Sequence, residues 1–192
     1  MLPVGRGPVT CRGLVVAPVA CAPVPSHPAT AALADRRARL LARATGRVLE
    51  VGADLEGANH SEGSYDSIVS VLALCRAPDL KRALSTIRHL LAPGGTFLFV
   101  EHVRATGLRA RLQRLATPVW RRVVPGCHLD RDLPAALRAA GFVVTDCERF
   151  ALPGANPLLR PAVQGAARVR LAPLPTRPEL VLAVSAPEGS DR

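Results

Sequence analysis

Short apolar runs alternate with segments of helical period along most of this chain, and this alternation constrains its fold more than any other feature. The runs predicted as strands lie at residues 47–52, 66–74, 96–101, 142–150 and 179–186. The segments predicted as helices lie at residues 29–46, 79–91, 108–124 and 132–140, and a proline-rich connector is predicted at 153–178. Strands that are apolar on both faces are typical of a parallel sheet covered by helices. The sequence therefore predicts an α/β fold with a mostly parallel sheet.

The first 28 residues differ from the rest because they contain six prolines, which remove backbone donors and exclude a helix. Pro18 also interrupts the apolar run at 13–22, which argues against a secretory signal peptide. We therefore predict three parts. They are a proline-rich arm at 1–28, one domain at 29–186 and a tail at 187–192.

Charge and composition narrow the classes of partner. The 192 residues carry a formal net charge of +10, but Lys81 is the only lysine among 25 basic residues. An arginine excess of this kind, with abundant alanine, proline and glycine, is typical of a GC-rich genome and is weak support for nucleic-acid binding. Aromatic residues make up only 3% of the chain, so few side chains are available to stack on bases. We predict no nucleic-acid partner, and no apolar stretch approaches the length of a membrane-spanning helix.

Five cysteines lie far apart, at positions 11, 21, 75, 127 and 147, and no two form a C-x-x-C pair. An odd and dispersed set argues against both a disulfide framework and a structural zinc site. The sequence therefore predicts buried thiols in a reducing compartment, a cytoplasmic location and no metal. Cys127 is interpreted in the same way, as a buried thiol and not a nucleophile.

Four motifs follow one another in a fixed order along the chain. They read V-L-E-V-G-A, Y-D-S-I-V-S-V-L-A-L-C, L-L-A-P-G-G-T-F-L-F-V-E-H-V and G-C-H-L-D-R-D. Over residues 30–186 this order resembles the class I S-adenosylmethionine-dependent methyltransferases. The most similar branch contains the menaquinone and ubiquinone C-methyltransferases and the thiol methyltransferases of animal cells. The resemblance implies a Rossmann-like fold, S-adenosylmethionine as cofactor and a small, lipophilic methyl acceptor.

The resemblance also assigns candidate site residues. For cofactor binding they are Glu50, Gly52, Ala53, Gly57, Asn59 and Leu72. For acceptor chemistry they are Glu101, His102 and His128, because a histidine can act as a general base near neutral pH and a carboxylate can orient it. A structural alternative stays open for each of these three. Glu101 and His102 would then cap a strand end, and His128 would help to start the next helix.

Two departures from the family pattern affect the cofactor site. The family loop G-A-G-T-G-A-N is replaced by G-A-D-L-E-G-A-N, so Asp54 and Glu56 bring negative charge towards the cofactor's own carboxylate. Only 12 residues separate Gly52 from Tyr65, too few for the family's second and third strands with their helices. We therefore expect a shortened fold without those strands, and weak or lost cofactor binding. Two hypotheses follow: an impaired methyltransferase, or a methyltransferase-like protein that binds a partner or catalyses another reaction.

The shortened fold predicts an exposed strand edge at residues 47–51. Unpaired backbone groups at such an edge recruit another strand. Two alternatives are open: the arm at 1–28 folds back over the edge, or a second copy of the chain pairs with it to give a homodimer.

The predicted helix at 108–124 is rich in arginine and also carries leucine and valine at helical spacing. One interpretation is a solvated basic face. The other is an interfacial face for peripheral contact with an anionic membrane or with a lipophilic substrate.

Overall fold

A computed structural model of the chain describes residues 15–16, 28–52, 61–123 and 126–170. The helices are α1 (Pro28–Arg43), α2 (Leu80–Leu90), α3 (Gly107–Val123) and α4 (Leu133–Ala139). The strands are β1 (Val15–Val16), β2 (Val48–Val51), β3 (Tyr65–Val71), β4 (Leu91–His102), β5 (Phe142–Ala151) and β6 (Pro161–Val169).

The described strands form one mixed sheet in the order β1-β2-β3-β4-β6-β5. Strands β1 to β4 pair in parallel, and β6 lies antiparallel between β4 and β5. β2 pairs directly with β3, with Val48 opposite Ser67, and no further strand of the described residues lies between them. The predicted α/β fold, mostly parallel and shortened, is therefore confirmed. Because β2, β3 and β4 point the same way, their carboxyl ends meet at one edge, where α/β proteins form their ligand sites.

The position of the last described strand differs from the sequence prediction, which was wrong here. β6 occupies 161–169, inside the segment expected to be a connector, and the strand expected at 179–186 lies outside the described residues. Pro161 is tolerated because it is the first residue of the strand, where no ladder donor is required. The buried side chains of β6 are Ala162, Val163, Ala166 and Ala167, whose weak hydrophobicity gave no strand signal.

The edge strand is β1, which comes from the proline-rich arm. Val15 pairs with Leu49, and Val16 pairs with Glu50, in a parallel register. Residues 47–52 therefore lie next to the edge of the sheet and not at it. Of the two alternatives expected, the structure shows the one in which the arm pairs with this strand. The homodimer stays a prediction.

Helices cover both faces of the sheet. On one face Ile68, Phe97 and Phe99 pack with α2 and α4 in a buried cluster. On the other face Val69 and Leu98 pack against Leu40 of α1. Adjacent residues of β3 and β4 thus point to opposite cores, which is why these strands are apolar throughout. Among the described residues, no helix combines the length and the apolarity that crossing a bilayer requires.

Two aspartates begin helices at the positions that the sequence predicts. Asp79 accepts hydrogen bonds from the backbone N–H groups of Lys81 (2.8 Å) and Arg82 (3.1 Å) at the start of α2. Asp132 accepts one from Ala135 N–H (3.2 Å) at the start of α4. Both satisfy donors that the first helical turn leaves unpaired.

A partly buried ion pair fixes α1 on the sheet. Glu50 of β2 is only 7% exposed, and its two carboxylate oxygens accept hydrogen bonds from Nε and Nη2 of Arg37, the first at 2.6 Å. The hydrogen bond to Glu50 raises the pKa of Arg37. A bidentate pair of this kind orients the helix and also neutralises a carboxylate that burial would otherwise penalise.

Substitution R37A tests this pair. Removing the guanidinium leaves the Glu50 carboxylate buried without its donors, so we expect the free energy of unfolding to fall by about 1–3 kcal/mol. The control is R39A on the same helix, because Arg39 is 67% exposed and pairs with exposed Asp35. R39A should change stability by less than about 0.5 kcal/mol. Equal urea midpoints for the two variants, followed by circular dichroism, would contradict the assignment.

Candidate active site

The chain makes a constrained turn where β3 reaches the carboxyl edge of the sheet. Leu72 has a φ of 52°, in the left-handed region that non-glycine residues rarely adopt. Its backbone N–H donates to Val100 O of β4 at 2.8 Å, so the turn is tied to the neighbouring strand. Strained residues of this kind cluster at ligand sites, and the turn lies where the sequence predicts a cofactor contact at Leu72.

A buried carboxylate holds the turn in place. Glu101 of β4 is 1% exposed, and Oε1 accepts from Ser70 Oγ (2.6 Å), Ala73 N–H (3.0 Å) and Leu74 N–H (2.9 Å). Its other oxygen, Oε2, accepts from Cys75 N–H at 3.0 Å. Burial raises the pKa of Glu101, while the donors favour its charged form. Four donors satisfy the carboxylate, so its observed contacts are those of a residue that orders the turn.

Arg131 holds the same turn from the other side. Its guanidinium donates to the carbonyl oxygens of Leu74 and Ala77, the second at 2.6 Å. His128 N–H donates to Cys75 O at 2.8 Å. The N–H groups of residues 73–75 are therefore bound by an anion, and the carbonyl groups of residues 74, 75 and 77 are bound by a cation and by the segment that precedes α4. The turn is rigid because both kinds of backbone group are satisfied by charged or backbone partners.

Two thiols and an imidazole meet beside this turn. The side chains of Cys75, His102 and Cys127, which we call the thiol–imidazole cluster, have ligand atoms that all lie within 4.8 Å of one another. His102 Nδ1 is 3.9 Å from Cys75 Sγ, and the two cysteines are 3% and 2% exposed. The hydrogen bond from Cys75 lowers the pKa of Cys127 to about 5, with help from His102 and Arg76. That bond and burial raise the pKa of Cys75.

His128 lies in the same segment as Cys127 and is half-buried. Burial lowers its pKa, and the positive charges of Arg131 and Arg121 lower it further. At neutral pH the imidazole is therefore uncharged and able to accept a proton.

The structure brings some of the predicted site residues together. Glu101, His102 and Leu72 lie around one turn at the carboxyl edge, and His128 contacts that turn through its backbone. Gly52 follows the last residue of β2 at the same edge, whereas the Glu50 carboxylate is bound to Arg37. Ala53, Gly57 and Asn59 lie outside the described residues. Their assigned roles, and those of the others, stay predictions.

Sequence reasoning missed the contact between the two cysteines and the role of Arg131. Cys75 and Cys127 are 52 positions apart, so no local spacing indicates that they meet. The available signal was their position: each lies in one of the four motifs, and His102 lies in a third. Residues that follow parallel strands converge at one edge, and this rule would have grouped Cys75 with His102 but not with Cys127, which lies between two helices.

Several comparisons with known proteins indicate a methyltransferase. A family model described as "Methyltransferase domain" matches residues 53–146. Thiol S-methyltransferase TMT1A from Homo sapiens is 33% identical over 107 residues, which are 55% of this chain and 44% of that protein. The ubiquinone/menaquinone C-methyltransferase UbiE of Methylobacterium nodulans is 31% identical over 127 residues, 65% of this chain and 48% of that protein. The chain thus spans about half the length of these curated relatives.

Solved structures show the same fold. A SAM-dependent methyltransferase from Thermotoga maritima, described as a possible histamine N-methyltransferase, superposes with a TM-score of 0.52 at 14% identity. The match covers 73% of this chain and 88% of that one. The mixed, mostly parallel α/β sheet therefore has the Rossmann-like fold of these methyltransferases. Together, the family model, the named relatives and this fold support a class I S-adenosylmethionine-dependent methyltransferase.

S-adenosylmethionine, the cofactor of this family, fits the described residues only in part. Gly52 and the turn at Leu72 bring backbone to the carboxyl ends of two adjacent parallel strands, which suits the methionine end of the cofactor. The resemblance also implies an acidic residue on the family's second strand that binds the ribose hydroxyls of the cofactor, and the described strands carry no counterpart of that strand. The one acidic residue of β2, Glu50, is already paired with Arg37.

The substitution E101Q tests the role of the buried carboxylate. It places an amide NH₂ where an oxygen now accepts a backbone N–H, so we expect a loss of about 2–4 kcal/mol in unfolding free energy. S70A removes only one of the four donors and should cost about 1 kcal/mol. Urea unfolding of both variants measures the difference. Indistinguishable midpoints would show that the turn does not depend on the charge of Glu101.

Proposed function

We propose that the chain binds S-adenosylmethionine and transfers its methyl group to a small, lipophilic acceptor. The observation that carries the proposal is the meeting of Gly52 and the Leu72 turn at adjacent strand ends, both within motifs of the family. The relatives are named as thiol S-methyltransferases and as a ubiquinone/menaquinone C-methyltransferase, and both names support a small acceptor. A thiol is our first choice, because TMT1A and TMT1B are both named for one.

Bound S-adenosylmethionine supplies a methyl group on a sulfonium centre. The chain therefore has to bind and orient the methyl acceptor and remove a proton from it. Gly52 and Leu72 would hold the methionine end, with Ala53, Gly57 and Asn59 as further candidates. His128 suits the role of general base, because its lowered pKa leaves the imidazole free to take the acceptor's proton. Glu101 would act as a positioning residue through the turn it binds, and His102 stays a candidate beside it.

A second candidate function is binding or another reaction without methyl transfer. It is favoured by the engagement of Glu50 with Arg37 and by the absence of a ribose-binding acid on the described strands. If two or three hydrogen bonds to S-adenosylmethionine are lost, at about 1 kcal/mol each, the affinity for this cofactor falls by about one to two powers of ten.

Calorimetry with S-adenosylmethionine and S-adenosylhomocysteine separates the two candidates. We expect saturable binding to the full chain that is roughly 10- to 100-fold weaker than that of an intact relative measured in the same buffer. Absence of binding would favour the second candidate. A dissociation constant in the low micromolar range would contradict the impaired site.

Substitution H128N tests the proton acceptor, with a hydrophobic alkyl thiol as methyl acceptor. We expect kcat to fall about 10- to 100-fold at neutral pH, with little change in cofactor affinity. H89N is the matched control, because His89 is 56% exposed on α2 and pairs with exposed Glu62. Equal kcat values for H128N and the parent chain would remove His128 from the mechanism.

Helix α3 supports a lipophilic acceptor because its apolar side faces away from the protein. Its outward side chains Leu108, Leu112, Leu115 and Val119, which we call the apolar stripe, are 71%, 49%, 76% and 62% exposed. The buried side is polar: Gln113 accepts from Ala105 N–H (2.7 Å) and donates to Leu158 O (2.9 Å). The spacing of the stripe, at i, i+4, i+7 and i+11, gives one continuous face along the helix.

Exposed arginines accompany the apolar stripe, at positions 109, 111, 114, 121 and 122. An apolar face bordered by basic side chains is the pattern of a helix that lies in the surface of an anionic membrane. We propose this surface as the partner of α3, and the acceptor as a molecule that dissolves in it. The other interpretation of this helix, a solvated basic face, gives no reason for the exposed leucines of the apolar stripe.

Vesicle sedimentation tests the membrane contact. The full chain should bind vesicles of mixed phosphatidylcholine and phosphatidylglycerol, and less well as salt increases. The double variant L108Q/L115Q should bind about tenfold or more weakly with little loss of stability, because both side chains are already exposed. V143Q is the control, since Val143 is 43% exposed on β5. Binding that is the same for both variants would contradict the proposal.

A further inference from the structure

Three separate segments deliver the thiol–imidazole cluster to one point. Cys75 follows β3, His102 ends β4, and Cys127 lies between α3 and α4. We propose that these three side chains bind one zinc ion. The proposal goes beyond the methyltransferase function and does not depend on it.

The ligand types are those that zinc prefers. Thiolate sulfur and imidazole nitrogen bind zinc at about 2.3 Å and about 2.0 Å, which places the ligand atoms of a tetrahedral site about 3.5–3.8 Å apart. His102 Nδ1 and Cys75 Sγ are already 3.9 Å apart, and all three ligand atoms lie within 4.8 Å. A contraction of about 1 Å or less, within the reach of side-chain rotation, would complete the geometry. Three protein ligands leave the fourth position for water or another small ligand.

The imidazole is free to act as a ligand. Its Nδ1 lies 3.9 Å from the Cys75 sulfur, and its Nε2 is buried without a hydrogen-bond partner among the described residues. No carbonyl or carboxylate oxygen of those residues therefore competes for the nitrogen. A histidine whose ring nitrogens make no strong hydrogen bond can direct a nitrogen lone pair towards a metal ion.

The surrounding charges are mixed. The buried Glu101 carboxylate lies close to Cys75 and favours a cation, whereas Arg76 and Arg131 oppose one. Arg131 already donates to Leu74 O and Ala77 O, which turns its donors away from the sulfur atoms. Two thiolates would neutralise the zinc charge, so the bound site adds no net charge to a buried position.

The rival use of the same cysteines is a disulfide. A disulfide between Cys75 and Cys127 needs an oxidant and makes no use of His102, whose unpartnered nitrogen it leaves unexplained. Zinc uses all three side chains. It would also join the turn after β3 to the segment before α4, so that metal binding stabilises the carboxyl edge of the sheet.

The test uses the full chain, stripped with a chelator and kept reduced, with Zn²⁺ as the added metal. We expect one zinc per chain after gel filtration, a rise in melting temperature, and an absorption-edge spectrum that reports two sulfur neighbours at about 2.3 Å. Variants C75S and C127S should bind zinc roughly 100-fold or more weakly and lose the rise in melting temperature. The control is C147S, because Cys147 is exposed and lies outside the cluster.

Because C75S or C127S can fail to fold, the spectrum of the unmutated chain decides independently. Zinc surrounded only by nitrogen and oxygen would overturn the proposal, as would a reduced chain that retains no zinc. Undiminished zinc binding by folded C75S and C127S would also overturn it, since the metal would then lie elsewhere.

Discussion

The candidate site depends on one buried carboxylate. Glu101 accepts four hydrogen bonds from Ser70 and from the backbone N–H groups of residues 73, 74 and 75, so it replaces the water that those donors would otherwise need. Hydrogen bonds to a charged group are stronger than those between neutral groups. Together these four fix a turn that begins at Leu72, whose φ lies in the left-handed region. The position of Cys75, and hence the cluster it forms with His102 and Cys127, follows from that turn. Arg131 stabilises the same turn because its guanidinium donates to the carbonyl groups of Leu74 and Ala77.

Much of this architecture is readable in the sequence because local signals and tertiary packing agree. Asp79 and Asp132 begin helices where their capping side chains predict, and β3 and β4 are apolar because both of their faces are covered. β6 was missed because its buried residues are mostly alanine, too weakly apolar to compete with the prolines around it. The burial of small side chains depends on close strand packing: a Cβ at Gly165 would lie 2.2 Å from Asp146 O of β5.

The site was only partly predictable, and α3 shows why. Periodicity identifies the helix, but it leaves open whether its outer face is a solvated basic one or an interfacial one. It also does not show that Gln113 and Thr117 point inwards, where Gln113 satisfies backbone groups at Val103, Ala105 and Leu158. Likewise the motifs place Glu101 and His102 at a strand end, while the contact of Cys75 with Cys127 depends on a loop path that no spacing rule encodes.

The antiparallel insertion of β6 has a consequence for synthesis of the chain. β5 pairs with β6, and the sheet order gives it no direct pairing with β4. While the ribosome is still making β6, β5 has no place in the sheet and the free side of β4 is open. The described sheet is therefore complete only when residues 161–169 have left the exit tunnel. Until then β4, with its row of unpaired backbone groups, is a site for chaperone binding or misassembly.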